Sequence, residues 1–187
     1  MKSETAPVIR VLGPRDVDDY SAVHLAGLIE VPQAFTTDAD AWRDAPRETI
    51  ARHLDAGRAK TRGPVLGAWR DEALIGLIGL TREERRSVSH KAGLWGFYVT
   101  AAHRRQGVGR ALLDAMIDHA AAVSGLRQLR AVVASSCVEA LGLFESVGFE
   151  RFGFEQDARL VEGRFHDLLY LWYRLPGHGS GRASMLH

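Results

Sequence analysis

The segment Val99–Ala120 reads VTAAHRRQGVGRALLDAMIDHA and constrains the fold more than any other part of the chain. It joins the end of an apolar strand to a helix starting at Val108 or Gly109, through a basic turn holding Gly107 and Gly109. Leu112, Leu113, Met116, Ile117, Ala120 and Ala121 follow i, i+1, i+4, i+5 spacing, one broad apolar stripe that must pack on a sheet. The front of that helix can hold an anion. Its first-turn N–H groups lack intrahelical partners, and the helix dipole favours negative charge there. Gly107 and Gly109 carry no Cβ, so a phosphate can come close to the backbone, and Arg104, Arg105 and Arg110 can add charge-assisted hydrogen bonds. Two other phosphate loops are excluded. No lysine follows a glycine, as a P-loop requires, and Gly109 is followed by Arg110-Ala111-Leu112, without the third glycine of the dinucleotide fingerprint.

Around this unit the chain alternates strands and helices. PVIRVL, Pro7 to Leu12, reads as a strand, and Asp16 is expected to cap a helix from about Val17 to Ile29. EVPQAFTTDADAWRDAP reads as irregular, with Pro46 at the first position of a short helix ending near Gly57. PVLGAWR and ALIGLIGLT, separated by Asp71-Glu72, form an expected hairpin, followed by a strand at about Ala92 to Val99. After the glycine-turn helix comes a buried-type strand, Leu129 to Ser135. Ser136 and Glu139 have the Ser-x-x-Glu spacing of a capping box for a helix through Val147, with Gly148-Phe149 as its stop. ERFGFE and LLYLWYRL close the domain as two strands. The order is mixed α/β, with an early antiparallel hairpin and a parallel pair formed by the strands on either side of the glycine-turn helix.

The length, 187 residues, suits one domain with a full core, here residues 1–175, and residues 176–187 are expected to trail as a disordered tail. A net charge of +1 gives no global field to attract nucleic acid or an anionic membrane. Cys137 is the sole cysteine and the eight histidines are scattered, so neither a disulfide nor a metal is expected. The N-terminus lacks the apolar core of a signal peptide, and the apolar run Ala73–Leu80 is too short to span a bilayer. A soluble, cytoplasmic protein is expected.

RRQGVGRALL resembles the pyrophosphate-binding motif of the GCN5-related N-acetyltransferase (GNAT) superfamily, aligned on Arg104, Gly107 and Gly109. GLWGFYV is similar to that family's fourth strand, CVEALGLFESVGF to its later helix through Ala140, Leu143, Gly148 and Phe149, and LVEGRFHDLLYLWYRL to its final hairpin. LIEVPQAF resembles the first-helix loop of some members. The resemblance implies a twisted, mostly antiparallel sheet of six or seven strands, splayed in the middle and flanked by about four helices. It implies acetyl-CoA as donor, held by Arg104, Arg105, Gln106, Gly107, Val108, Gly109 and Arg110 at the pyrophosphate. Phe97, Tyr98 and Val99 would lie along the pantetheine arm, with Cys137 and Phe144 near the thioester. A homodimer is also implied.

The pattern departs at two positions. The family often has Asn where this chain has Cys137, and Tyr where it has Phe144. That Tyr is the acid assigned to the departing thiolate, and Phe144 has no proton to give. A nucleophilic Cys137 is not required by direct transfer. No carboxylate lies on GLWGFYV to take the amine proton. Glu30 is the candidate base by position, with His90 and His166 as alternatives. Asp38, Asp40 and Asp44 would suit a cationic acceptor. The expected function is acetyl transfer to a primary amine of a small molecule or protein N-terminus. The alternative is an acyl-CoA-binding or regulatory domain with little turnover.

Overall fold

The structure, a computed structural model, describes residues 6–55 and 62–176. The expected end of a helix near Gly57, and the expected tail from residue 177 onward, lie outside the described residues. The elements run β1 (Val8–Val11), α1 (Val17–Glu30), α2 (Ala39–Arg43), α3 (Arg47–Ala51), β2 (Arg62–Arg70), β3 (Ala73–Arg82), β4 (Lys91–Val99), α4 (Val108–Ala122), β5 (Gln128–Ala134), α5 (Val138–Val147), β6 (Glu150–Val161) and β7 (Arg164–Arg174). Among the described residues there are thus five α-helices rather than about four, because part of the segment read as irregular forms α2, capped by the Asp38 carboxylate accepting the Ala41 N–H at 2.7 Å.

The seven strands form one sheet in the order β1-β2-β3-β4-β5-β7-β6. Neighbours are antiparallel except β4 and β5, joined through the crossover helix α4. Asp71 and Glu72 turn β2 into β3 with φ of 47° and 65°, the left-handed pair that matches the twist of a two-residue hairpin. On β3, Leu74 and Leu77 pack under α1, while Ile75, Ile78 and Leu80 pack under α4. The apolar run is therefore continuous because this strand is covered on both faces.

Two expected caps are replaced by other contacts. Asp16 does not cap the first turn of α1; its carboxylate accepts the Gly13 N–H at 2.8 Å and both Arg10 Nη atoms at 2.7 and 2.8 Å. The short 3₁₀ turn begun by Pro14 precedes α1 and brings Asp16 beside the Arg10 guanidinium, whose hydrogen bonds hold the carboxyl below its usual range. At α5, Cys137 and not Ser136 is the N-cap residue, and no side chain caps the helix; Glu139 instead faces Arg105 at 3.9 Å. The other end of α5 follows the sequence. Gly148 sits at φ 107°, its N–H bonded to Glu145 O, and the Phe149 N–H reaches Phe144 O, the bond pair of a Schellman stop. The associated apolar contact is Phe149 on Phe144, ring centroids 5.0 Å apart.

Among the described residues no helix is long and apolar enough to cross a membrane, and no group of three metal-capable side chains converges.

Candidate functional site

β4 and β5 pair only through Lys91–Gln128, Ala92–Leu129 and Gly93–Arg130. Beyond Gly93 the strands part, and a cavity of about 1290 Å³ opens between the outer half of β4, β5 and α5. The edge of β4 that would face β5 is therefore left without a partner strand from Leu94 to Val99.

One end of this cavity is the start of α4, lined by Arg105, Gly107, Gly109 and Arg110. The two glycines are needed for different reasons. Gly107 is the N-cap at φ 78°, and a Cβ there would meet nothing within 4 Å, so it is the backbone conformation that favours glycine. At Gly109 a Cβ would stand 3.0 Å from Leu143 Cδ2 and 3.2 Å from Phe97 Cζ, so glycine lets α4 approach α5 and β4. The N–H groups of Val108, Gly109 and Arg110 begin the helix without intrahelical acceptors. Arg105 and Arg110 are exposed or half-exposed beside them, Arg110 paired with Asp114.

Arg104 lines the cavity but is committed elsewhere. It donates to Val99 O at 3.0 Å and to both Glu30 carboxylate oxygens at 2.7 and 2.8 Å. Tyr98 Oη donates to the same carboxylate at 2.6 Å. The hydrogen bond from Arg104, then that from Tyr98, holds Glu30 below the usual carboxylate range. Burial and the Glu30 contact push the Tyr98 phenol up to about 12.

Phe97, Tyr98, Val99, Cys137 and Phe144 also line the cavity. Phe144, only 2% exposed, packs edge-on against Phe97 at 5.4 Å. Burial pushes the Cys137 thiol up, away from thiolate character. Gln106 and Val108 do not line it. Gln106 bonds Ala102 O and accepts from Arg70, and the Val108 side chain is in the core.

The candidate bases lie off the wall: neither Glu30 nor His90 borders the cavity, nor does His166. His90 precedes β4 at the end where β4 and β5 are still paired, and its carbonyl accepts the Arg127 and Gln128 N–H groups at 2.8 and 3.1 Å. The cavity opens at the opposite end of the same strands. Asp38, Asp40 and Asp44 are exposed and also absent from the wall.

The far end of the cavity was not foreseen from sequence. It is aromatic, with Phe35, Trp42 and Trp95 gathered around His24 and His53. His24 lies 4.3 Å from the Trp42 ring and 5.3 Å from Phe35, and His53 lies 6.0 Å from Trp95. His24 is 6% exposed, and its buried Nδ1 has no hydrogen-bond partner. Burial, and secondarily the neighbouring His53, depresses its pKa to about 4, so it is neutral at physiological pH. It stands against a β-bulge. Leu77 pairs with Tyr98 and Gly79 with Trp95, so Gly96 and Phe97 together oppose the single residue Ile78. Gly96 takes φ 63°, and a Cβ there would lie 3.9 Å from His24 Nδ1. A signal for His24 was present in the sequence. Tyr20, Val23, His24, Gly27 and Leu28 follow i, i+3, i+4, i+7, i+8 spacing, which turns His24 inward.

The family model described as Acetyltransferase (GNAT) family matches residues 28–149. The chain belongs to the GNAT acetyltransferase family. No curated protein matches it. Among solved structures this GNAT chain is similar to yncA from Salmonella typhimurium, solved with its cofactor acetyl-CoA, at 20% identity over 96% of this chain and 99% of that one, with a TM-score of 0.81. It is similar to a ribosomal-protein-alanine N-acetyltransferase from Brucella melitensis at 24% identity, covering 90% and 99%, TM-score 0.79. A phosphinothricin acetyltransferase from Sinorhizobium meliloti in complex with acetyl-CoA matches at 18% identity, covering 91% and 89%, TM-score 0.78. At these identities the likeness establishes the GNAT fold, and the chemistry must be argued from this chain's own residues.

Proposed function

We propose that the protein transfers an acetyl group from acetyl-CoA to a primary amine by direct attack. One observation carries this reading: the free helix start at Gly107, the open edge of β4 and the β4 bulge all border a single cavity. The residues present fit the donor. The Val108–Arg110 N–H groups, with Arg105 and Arg110, suit a pyrophosphate, and the Gly107 surface leaves room for it. The unpaired β4 edge at Phe97–Val99 suits the amide-bearing pantetheine arm, added as an extra strand. Arg104 acts behind the turn, fixing it to α1 through Glu30.

Acetyl-CoA supplies an activated thioester carbonyl. The amine nitrogen attacks the carbonyl carbon, the C–N bond forms, the C–S bond breaks, and the thiolate leaves with its electron pair. The bulge at Gly96–Phe97 frees backbone donors from the β3 ladder, where they can stabilise charge developing on the carbonyl oxygen. The proton lost by nitrogen needs an acceptor. His24, neutral, unpartnered at Nδ1 and adjacent to the bulge, suits that role directly or through a water better than Glu30, whose carboxylate already accepts three hydrogen bonds.

Phe144 favours a second reading, a coenzyme A-binding domain with little turnover, because it cannot protonate the thiolate. Thiol release from acetyl-CoA over a panel of amino acids, polyamines, aromatic amines and peptides separates the two. Release above the hydrolysis background with any of them supports the transferase, and tight coenzyme A binding with no release supports the second reading.

A further inference from the structure

We propose that Arg159 recognises a carboxylate on the acceptor, so that the amines accepted are amino-acid-like molecules with an apolar side chain. The amine half of this proposal rests on the acetyltransferase reading, whereas the carboxylate site does not.

Arg159 reaches the cavity through a distortion of β6. Glu155 pairs with Leu168 and Arg159 with His166, so three β6 residues, 156–158, stand opposite Asp167 alone. Asp157 takes φ 51°, and its N–H donates to Asp167 Oδ1 at 2.9 Å, which fixes the bulge. The guanidinium then lines the cavity, half-buried. Its Nη1 donates to the carbonyls of Gln33 and Phe35 at 2.8 and 3.2 Å, tying the loop after α1 over the splayed strands. Nε and Nη2 have no such acceptor, and among the described residues no carboxylate lies within salt-bridge distance of Arg159. Burial depresses its pKa, and the nearby Tyr170, Cys137 and Glu155, none of them in an ion pair with it, offset only part of that shift.

The charge of the wall completes the argument. Glu139 is the one carboxylate lining the cavity among the described residues, and it faces Arg105 at the α4 end. The end nearer His24 offers Phe35, Trp42 and Trp95 as apolar surface, and Arg159 as its cation. A polyamine would bring a second ammonium towards an unpaired guanidinium with no carboxylate to receive it. An amine bearing a carboxylate supplies the missing counter-ion, and the fork of Nε and Nη2 suits a two-pronged contact.

Product-like ligands test this without turnover. Trp42 and Trp95 line the cavity, so tryptophan fluorescence of the protein with saturating coenzyme A reports binding of N-acetylphenylalanine and of its uncharged amide. The acid should bind at least tenfold more tightly than the amide. Arg159→Gln should erase that preference while leaving amide affinity unchanged, and Arg159→Lys should restore part of it. Equal affinities in the wild type, or no binding of either ligand, would overturn the proposal. Equal loss of both ligands in Arg159→Gln would also overturn it, because that marks a loop tie alone. Thiol release is read separately. Phenylalanine should be preferred to phenethylamine, and a reversed preference would overturn the proposal. Absent release with intact acid–amide discrimination would remove the transferase reading and leave the carboxylate site standing.

Discussion

The carboxylate of Glu30 and the guanidinium of Arg104 meet in a two-pronged contact, at 2.7 and 2.8 Å, that ties the last residue of α1 to the turn before α4. Two residues drawn from different parts of a candidate site thus neutralise one another, with Tyr98 as the third member. Glu30→Gln should therefore remove a strut and not a base. The pH profile of kcat/KM should keep its shape, while coenzyme A affinity and the thermal midpoint both fall. The sign of the acid response follows from the lowered carboxyl pKa. Glu30 contributes stability above the ordinary carboxylate range and loses it as pH falls through its folded value, so the variant should lose less stability than the wild type on acidification. A vanished ionisation in the rate profile would return Glu30 to the role of base.

At Gly107 the backbone is left-handed and the space around a Cβ is open. Gly107→Ala should cost about 1 kcal/mol of folding stability from conformation alone, and its uncharged methyl should weaken coenzyme A binding less than a glutamate does. Gly107→Glu places a negative charge where the pyrophosphate is proposed to sit, and coenzyme A affinity should drop at least about tenfold, or roughly 1.4 kcal/mol. Calorimetry on both variants checks this. Unchanged affinity in Gly107→Glu would show that the phosphates bind elsewhere.

The α4 end of the cavity follows from the sequence because local chain geometry builds it: a strand end, a glycine turn and a helix start within one continuous segment, Val99–Ala120. The far end could not, because it is assembled from separated pieces. Trp42 comes from α2, His53 from the residues after α3, Trp95 from β4 and Arg159 from a bulged β6. No spacing rule links positions 42, 95 and 159. Glu30, the candidate base by position, stands off the cavity wall, and its partners Arg104 and Tyr98 come from elements far from it in sequence. Arg104 has the sequence position of a phosphate ligand, and only the fold brings α1 beside that turn and engages it with Glu30. The failed capping box at Ser136 has the same origin, since Glu139 turns towards Arg105, a residue on a different element.

His24 makes acid stability a measure of the aromatic end. Its pKa is depressed from 6.5 to about 4, so the unfolded chain takes up a proton in a range where the folded chain does not. Stability from a neutral buried His24 is fully present above pH 6.5 and declines as pH falls towards 4. From pH 7 to pH 5 this one residue should lower folding stability by about 2 kcal/mol. Urea unfolding of the wild type and His24→Phe at both values isolates the contribution, with the smaller pH dependence expected in the variant. Equal pH dependence would mean that His24 titrates normally in the folded protein.

Phe144 separates the transferase from a coenzyme A-binding domain. It is 2% exposed, lines the cavity, and lies between Phe97 and Phe149 with centroids at 5.4 and 5.0 Å. Phe144→Tyr adds one hydroxyl on the α5 side of the cavity, where the thiolate is proposed to leave. If the hydroxyl projects into the cavity it finds water or sulfur, and folding stability should be nearly unchanged. If it projects into the ring cluster it is buried without a partner, at a cost of about 1–3 kcal/mol. The stability measurement therefore reports where the new group points before any rate is read. With stability unchanged and thiolate departure limiting, turnover should rise, up to the general-acid range of about 10²–10⁴-fold, and most clearly towards low pH. If amine attack limits instead, turnover stays level. Turnover of both forms on the best acceptor, from pH 6 to about 9, decides the matter. A stable variant that is no faster anywhere in that range, beside a brisk wild type, would show that the missing hydroxyl does not limit this protein.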